Sequence, residues 1–178
     1  MARNVEIKAR AGSVPELTAR VVRMAAGGPT EIAQDDTFFR CPEGRLKLRA
    51  FPDCSGQLIF YRRPDTDGPK TSFYSIAPVQ NADSMRETLT LALGQAGRVR
   101  KQRTLYLVGR TRVHIDRVEE LGDFVELEVV LEEGEQEAEG VREAEELLEK
   151  LGIPQSALVG RAYVDLLEDS AVRRRECS

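Results

Sequence analysis

Two hydrophobic periods alternate along the chain. Residues 3–10 (Arg-Asn-Val-Glu-Ile-Lys-Ala-Arg) alternate polar and apolar side chains, the two-residue period of a half-buried strand. Ser13, with Glu16 three residues on, forms a capping-box pattern that opens a helix through Leu17, Val21, Val22 and Met24, and Gly27-Gly28-Pro29 is expected to end it. Strand-like runs follow at 31–40, 45–51, 57–63 and 70–78, separated by Pro42-Glu43-Gly44, Pro52-Asp53 and residues 64–69. A second helix is expected over 82–94, with Gly94 and Gly97 near its end. Residues 98–108 and 110–118 read as a hairpin, and 123–132 as another strand. In 137–151 the positions Ala138, Val141, Ala144, Leu147, Leu148 and Leu151 form an apolar helical stripe, closed by Gly152. A short helix at 162–168 is expected to precede a flexible basic tail, 169–178, carrying Arg173-Arg174-Arg175.

About eight strands in short-loop series, with three or four helices between and after them, predict an α+β fold. The favoured architecture is an eight-stranded antiparallel β-barrel, or a sandwich, with helices packed outside and a single domain over 1–168. A chain of 178 residues can bury such a core without disulfides. Three cysteines, Cys41, Cys54 and Cys177, lack metal-ligand spacing and read as free thiols in a reducing, cytoplasmic setting. No apolar run is long enough to span a bilayer, so no membrane partner is expected. The net charge of −4 is unlike that of a nucleic-acid binder, and a lone histidine, His114, argues against a histidine-rich metal site or a Ser-His-Asp triad.

Charge placement within the strands carries the chemistry. Side chains two residues apart share a strand face. Asn4, Glu6 and Lys8 therefore lie opposite Val5 and Ile7; Arg45, Lys47 and Arg49 lie opposite Leu46 and Leu48. Lys101 shares a face with Arg103; Arg112, His114 and Asp116 lie opposite Val113 and Ile115; Glu126 and Glu128 lie opposite Val125, Leu127 and Val129. For any one strand the charged face could simply be wet. Taken together, five such strands under apolar helices suit a barrel with its charges in the lumen. Unpaired buried cations are costly, so that lumen calls for a polyanion, and guanidinium and ammonium groups match phosphate oxygens. Paired glutamates on one strand call for a hard cation such as Mg²⁺ or Mn²⁺.

At these residues the chain resembles the CYTH family of triphosphate tunnel enzymes, which unites class IV adenylyl cyclases with thiamine- and inorganic triphosphatases. Asn4-Val5-Glu6-Ile7-Lys8 is similar to the family's Glu-x-Glu-x-Lys signature. Gly44-Arg45-Leu46-Lys47-Leu48-Arg49 resembles its basic third strand, Tyr61-x-Arg63 the strand after it, and Lys70-x-Ser72-x-Tyr74 also fits. Residues 101–128 look closest to class IV cyclase-like members, and Ala162-Tyr163-Val164-Asp165-Leu166-Leu167 resembles the closing Ser-Tyr-x-x-Leu-Leu element. The resemblance implies an eight-stranded antiparallel tunnel with Glu6, Glu126 and Glu128 as metal ligands. It implies Lys8, Arg49, Arg63, Lys101 and Arg103 as phosphate-binding groups, with Lys47 and Arg112 as further candidates. Tyr163 is a candidate for closing the tunnel and contacting phosphate, the alternative being a buried tyrosine with a satisfied hydroxyl. Asn4 stands where the signature has its first glutamate; its amide carbonyl can still ligate a metal but brings no charge, so a second ion should bind more weakly.

Three activities remain open at this stage. One is a Mg²⁺- or Mn²⁺-dependent triphosphatase acting on tripolyphosphate, thiamine triphosphate or a nucleoside triphosphate. The second is a class IV adenylyl cyclase, and the third a polyphosphate-binding module without turnover. A small-molecule triphosphate is the expected partner of a monomer or homodimer, with His114 and Asp116 left without assigned roles.

Overall fold

The computed structural model describes residues 2–176. Its strands are β1 (Ala2–Arg10), β2 (Gly27–Phe39), β3 (Arg45–Ala50), β4 (Gly56–Arg62), β5 (Lys70–Val79), β6 (Gln95–Val108), β7 (Thr111–Val118) and β8 (Gly122–Val130). Helices α1 (Val14–Met24), α2 (Ala82–Leu93), α3 (Glu137–Leu151) and α4 (Tyr163–Glu176) complete it. The strands close on themselves in the order β1-β5-β4-β3-β2-β6-β7-β8 as an antiparallel barrel. Closure depends on β1, which pairs with β5 on one side (Glu6 opposite Lys70) and with β8 on the other (Glu6 opposite Glu128).

Local signals explain most of the boundaries. The Ser13 hydroxyl accepts from the Glu16 amide at 3.4 Å, so α1 starts where the capping pattern places it. Asn81 caps α2 through its carboxamide oxygen, and Gly152 ends α3 in the left-handed conformation at φ 66°. Parity sorts the barrel walls. Val5 and Ile7 of β1, Val113 and Ile115 of β7, and Val125, Leu127 and Val129 of β8 point outward. There they form the main core with Leu17 and Val21 of α1 and Ala144, Leu147, Leu148 and Leu151 of α3. Gly140 lets α3 approach that closely, since a Cβ there would stand 2.9 Å from Val5 Cγ2 and 2.7 Å from Leu131 Cδ2. A smaller cluster packs α2 on Phe39, Leu48 and Val79.

Three expectations change. Gly27-Gly28-Pro29 does not merely stop α1; it already belongs to β2, the helix having ended at Met24 with Ala25 as its cap. Gly97 lies within β6 and not at a helix end; it lacks a side chain because a Cβ would meet Val164 Cγ2 at 2.5 Å, so it admits the start of α4. The segment read as a flexible tail from 169 is helical to Glu176, tied down by ion pairs of Arg161 with Asp169 and of Arg174 with Glu120. Cys177 and Ser178 lie outside the described residues. No helix among the described residues is long and apolar enough to cross a membrane.

If the barrel's outer face is the core, its leucines and surface leucines should differ sharply. Leu127→Ala, at 1% exposure, should cost about 2–5 kcal/mol in urea unfolding, whereas Leu91→Ala, at 83%, should cost no more than about 0.5 kcal/mol. Equal losses would contradict the assignment.

Candidate functional site

Inside the barrel, the inward faces surround a cavity of about 290 Å³. One end is filled by the start of α4: Ala162, Tyr163 and Val164 pack on Phe38, Val99, Val118 and Phe124, with the Tyr163 ring edge-on to Phe124 at 4.9 Å. Seven cations line the lumen, Lys8, Lys47, Arg49, Arg63, Lys101, Arg103 and Arg112, against four carboxylates, Asp36, Glu6, Glu126 and Glu128. The barrel therefore brings every sequence-predicted site residue to one chamber, most of them by strand parity, Arg63 from just past β4 and Tyr163 from the start of α4.

The cations are not left bare, which corrects the expectation that only a bound polyanion could balance them. Asp36 of β2 binds Arg49 of β3 through two hydrogen bonds of 2.8 Å and Lys47 through a third of 2.8 Å. Asp116 of β7 does the same for β6, accepting from Lys101 at 2.8 Å, from Arg103 at 2.6 and 2.7 Å, and from the Tyr163 hydroxyl at 3.0 Å. Burial alone would raise both carboxyls; Lys47 and Arg49 around the first, and Arg103 and Lys101 around the second, hold them well below the usual carboxylate range. Burial, reinforced by Arg49 and Lys101 and opposed by Asp36, pushes Lys47 down to about 8.

The remaining cations meet the carboxylate wall or the backbone. Arg63 Nε pairs with Glu6 Oε1 at 2.8 Å, and Arg103 reaches Glu126 at 3.2 Å. Arg63 Nη1 also donates to the Gly160 carbonyl at 3.0 Å, joined there by Lys70 Nζ at 2.7 Å. Lys8 Nζ donates to the Arg161 carbonyl at 2.6 Å and stands 4.3 Å from the centroid of the Tyr163 ring. Burial, with Arg63 adding to it and Glu126 opposing it most, brings Lys8 down to about 8. Burial and Glu126 push Glu6 up to about 7, against the pull of Arg63. Arg112 is more exposed and lies 3.6 Å from Glu128.

Adjacent strands β1 and β8 thus form a carboxylate wall, faced by the cations of β3 and β6. Donor atoms of His114, Glu126 and Glu128 fall within 4.8 Å of one another. Among the described residues, four buried side-chain polar atoms lack a partner, and three of them, Asn4 Oδ1, Gln34 Oε1 and His114 Nδ1, belong to residues lining the cavity. A native interior rarely leaves such atoms unpaired. Three of the four thus gather in this one chamber.

Sequence reasoning missed several groups here. Asp36 was legible, because Gln34, Asp36 and Phe38 share a face within the run 31–40; Lys70 was legible by its parity with Ser72. Arg45 alternates with Lys47 and Arg49 but leaves the lumen set, held by Asp65 and Asp165 at 2.7 Å each. The carbonyls of Gly160 and Arg161 carry no side-chain signal at all.

Comparison with known proteins agrees with this geometry. The CYTH domain matches residues 2–163. Adenylate cyclase CyaB of Aeromonas hydrophila is 27% identical over 183 aligned positions, covering 97% of this chain and 92% of its own. The Pyrococcus horikoshii OT3 protein PH1012 superposes with a TM-score of 0.81 at 20% identity, covering 92% of this chain and 98% of that one. HpAC1 of Hippeastrum, an adenylyl cyclase homologue described with a dominant triphosphatase activity, superposes with a TM-score of 0.67 at 15% identity, covering 94% and 96%. With its eight-stranded tunnel and a domain match over nearly its whole length, this chain belongs to the CYTH domain family.

Proposed function

We propose that the chain is a metal-dependent triphosphatase, cleaving the terminal phosphoryl group of an inorganic or organic triphosphate held in the lumen. The observation that carries the reading is the surplus of three cations over carboxylates in the cavity lining, in a barrel plugged at one end. Counting Asp116 behind Lys101 and Arg103 still leaves a surplus, and a polyanion neutralises it. The expected phosphate contacts are Lys8, Lys47, Arg49, Arg63, Lys101, Arg103 and Arg112, with Tyr163 at the closed end.

The carboxylate wall suits a divalent cation. Glu126 and Glu128 converge on one point, and Asn4 offers a buried, unpartnered carbonyl oxygen from the same wall. Glu6, Glu126, Glu128 and Asn4 would hold Mg²⁺ or Mn²⁺. Such an ion, when bound, polarises the terminal phosphoryl group and helps orient a water. The protein itself supplies position and field. Cations of β3 and β6 fix the phosphate chain along the barrel and meet charge on the departing phosphate oxygens. The Tyr163 plug keeps bulk water from one end. Hydrolysis adds water across the terminal P–O–P bridge and releases phosphate and the shortened chain.

An adenylyl cyclase is the second reading, favoured by the name of the Aeromonas relative and by Ile32, Ile59, Ile76 and Leu105, which add apolar lining for an organic end. The same fold carries a dominant triphosphatase activity in HpAC1, so that name does not decide between them. The cavity's volume, near the lower end for ligand sites, and the charged side chains that converge on it suit a triphosphate chain and a water better than an oriented ribose.

Incubation with tripolyphosphate, ATP and thiamine triphosphate plus Mg²⁺ or Mn²⁺ should release phosphate. Cyclic AMP with pyrophosphate would replace this reading by the cyclase, and triphosphate binding without any product would make the chain a binding module. Glu126→Gln should abolish metal-dependent release while the thermal melt stays cooperative; full activity would remove Glu126 from the site. Asp36→Asn leaves Lys47 and Arg49 facing each other and should cost about 3 kcal/mol of stability, the low end for breaking a buried pair. Tripolyphosphate should then raise the melting temperature of this variant more than that of the parent protein; equal shifts would separate Asp36 from the anion site. Tripolyphosphate affinity should also fall as pH rises through about 8, where the free Lys47 and Lys8 lose their protons. Calorimetry in buffers of different ionisation enthalpy should show proton uptake on binding there; pH-independent affinity from 7 to about 9.5 would contradict the role of these two lysines.

A further inference from the structure

Among the lumen groups that the phosphate-binding cations and the barrel core leave without a task is the His114 imidazole. His114 sits mid-strand in β7, directly opposite Glu126 of β8, while the neighbouring pair places Arg112 opposite Glu128. Side chains paired in this way on one face have Cβ atoms about 4.5–5.5 Å apart, within reach of a common partner. The imidazole is 4% exposed, and its Nδ1 is fully buried without a hydrogen bond. Glu128 Oε1 stands 3.8 Å from that nitrogen, beyond hydrogen-bond range but suited to two ligands flanking an ion.

Donor atoms of His114, Glu126 and Glu128 lie within 4.8 Å of one another. Two ligands each about 2.1 Å from a divalent ion stand at most about 4.2 Å apart, so modest inward rotation of these side chains closes them on a shared ion. Glu6 is engaged differently, with Oε1 on Arg63 at 2.8 Å. An unpartnered buried nitrogen 3.8 Å from one carboxylate oxygen, on an imidazole clustered with two carboxylates, is a poor structural arrangement by itself and a good coordinating one.

We propose that His114 Nδ1 is a metal ligand, forming with Glu126 and Glu128 a mixed nitrogen–carboxylate site that takes Mn²⁺, Co²⁺ or Zn²⁺ in preference to Mg²⁺. This rests on the reading of the β1–β8 wall as the metal end of the tunnel and adds a nitrogen donor and a metal preference to it. Mg²⁺ is a hard ion that favours oxygen, whereas imidazole is a borderline donor accepted by first-row transition metals. Exchanging one oxygen ligand for imidazole therefore shifts selectivity away from Mg²⁺ without adding charge to the wall.

A single histidine in the chain makes the test residue-specific. Untagged protein would be titrated with Mn²⁺ alone, following the electron paramagnetic resonance signal of the free ion. Pulsed spectra of the bound ion should show a directly coordinated nitrogen that changes on ¹⁵N-histidine labelling. His114→Ala should weaken Mn²⁺ binding about tenfold or more while changing Mg²⁺ binding, measured by competition, less than about threefold. Bound Mn²⁺ lacking the labelled-nitrogen coupling, or no Mn²⁺ binding by the parent protein, overturns the proposal even if the variant misfolds. Phosphate release from tripolyphosphate with Mg²⁺ would leave the triphosphatase reading standing in that event. Nitrogen coupling without phosphate release would sustain the ligand and sink the hydrolase.

Discussion

Bringing several ammonium and guanidinium groups into one barrel interior is the constraint around which the molecule is organised. Each would cost several kcal/mol if buried alone. Asp36 and Asp116 meet that cost from neighbouring strands, each binding one lysine and one arginine. They sit on β2 and β7, the strands flanking the cation strands β3 and β6, so the closed strand order is what delivers them. The barrel can therefore fold before any ligand arrives, and its surplus charge remains for a ligand to neutralise.

The same pairing fixes direction. Arg49 uses Nε and Nη2 on Asp36, and Arg103 uses Nε and Nη2 on Asp116 and Glu126. A guanidinium carries five N–H donors, so each arginine keeps its Nη1 edge for another acceptor. Held by a bidentate carboxylate, a side chain with roughly 2 kcal/mol of rotamer entropy has already lost much of it before an anion binds. An aspartate behind each arginine thus lowers net charge slightly and improves orientation greatly, the exchange that preorganised electrostatic sites make.

Strand parity made most of this legible in the sequence. Alternation in 3–10, 45–49, 110–116 and 124–130 placed Glu6, Lys8, Lys47, Arg49, His114, Asp116, Glu126 and Glu128 on the faces they occupy, because a period of two leaves no latitude once the other face is apolar. Parity says which face a residue takes but not which partner it meets. The pairing of Arg63 with Glu6, or of Asp116 with Tyr163, depends on long-range register between elements far apart in the chain. The glycines show the same limit. Gly97 looked like helix punctuation because its real reason, the approach of Val164 from 67 residues further on, has no local trace. Gly160 and Arg161 contribute through carbonyl oxygens, which every residue possesses.

Two kinds of incompleteness coexist in the lumen and point to different ligands. On the β3 and β6 side the hydrogen-bonding groups are paired but the charge is not balanced, the condition that attracts a polyanion without requiring one for folding. On the β1 and β8 side the position is reversed. There carboxylates face one another, and buried atoms of Asn4 on β1 and of His114 on the adjoining β7 have no protein partner; a phosphate would add negative charge to the carboxylates and a further acceptor beside the Asn4 oxygen. A cation repairs that side, and the polyanion's own charge makes the cation easier to hold. Because the two sides close the same barrel through β1, β7 and β8, the two proposed ligands would share one chamber and each would lower the electrostatic cost of the other.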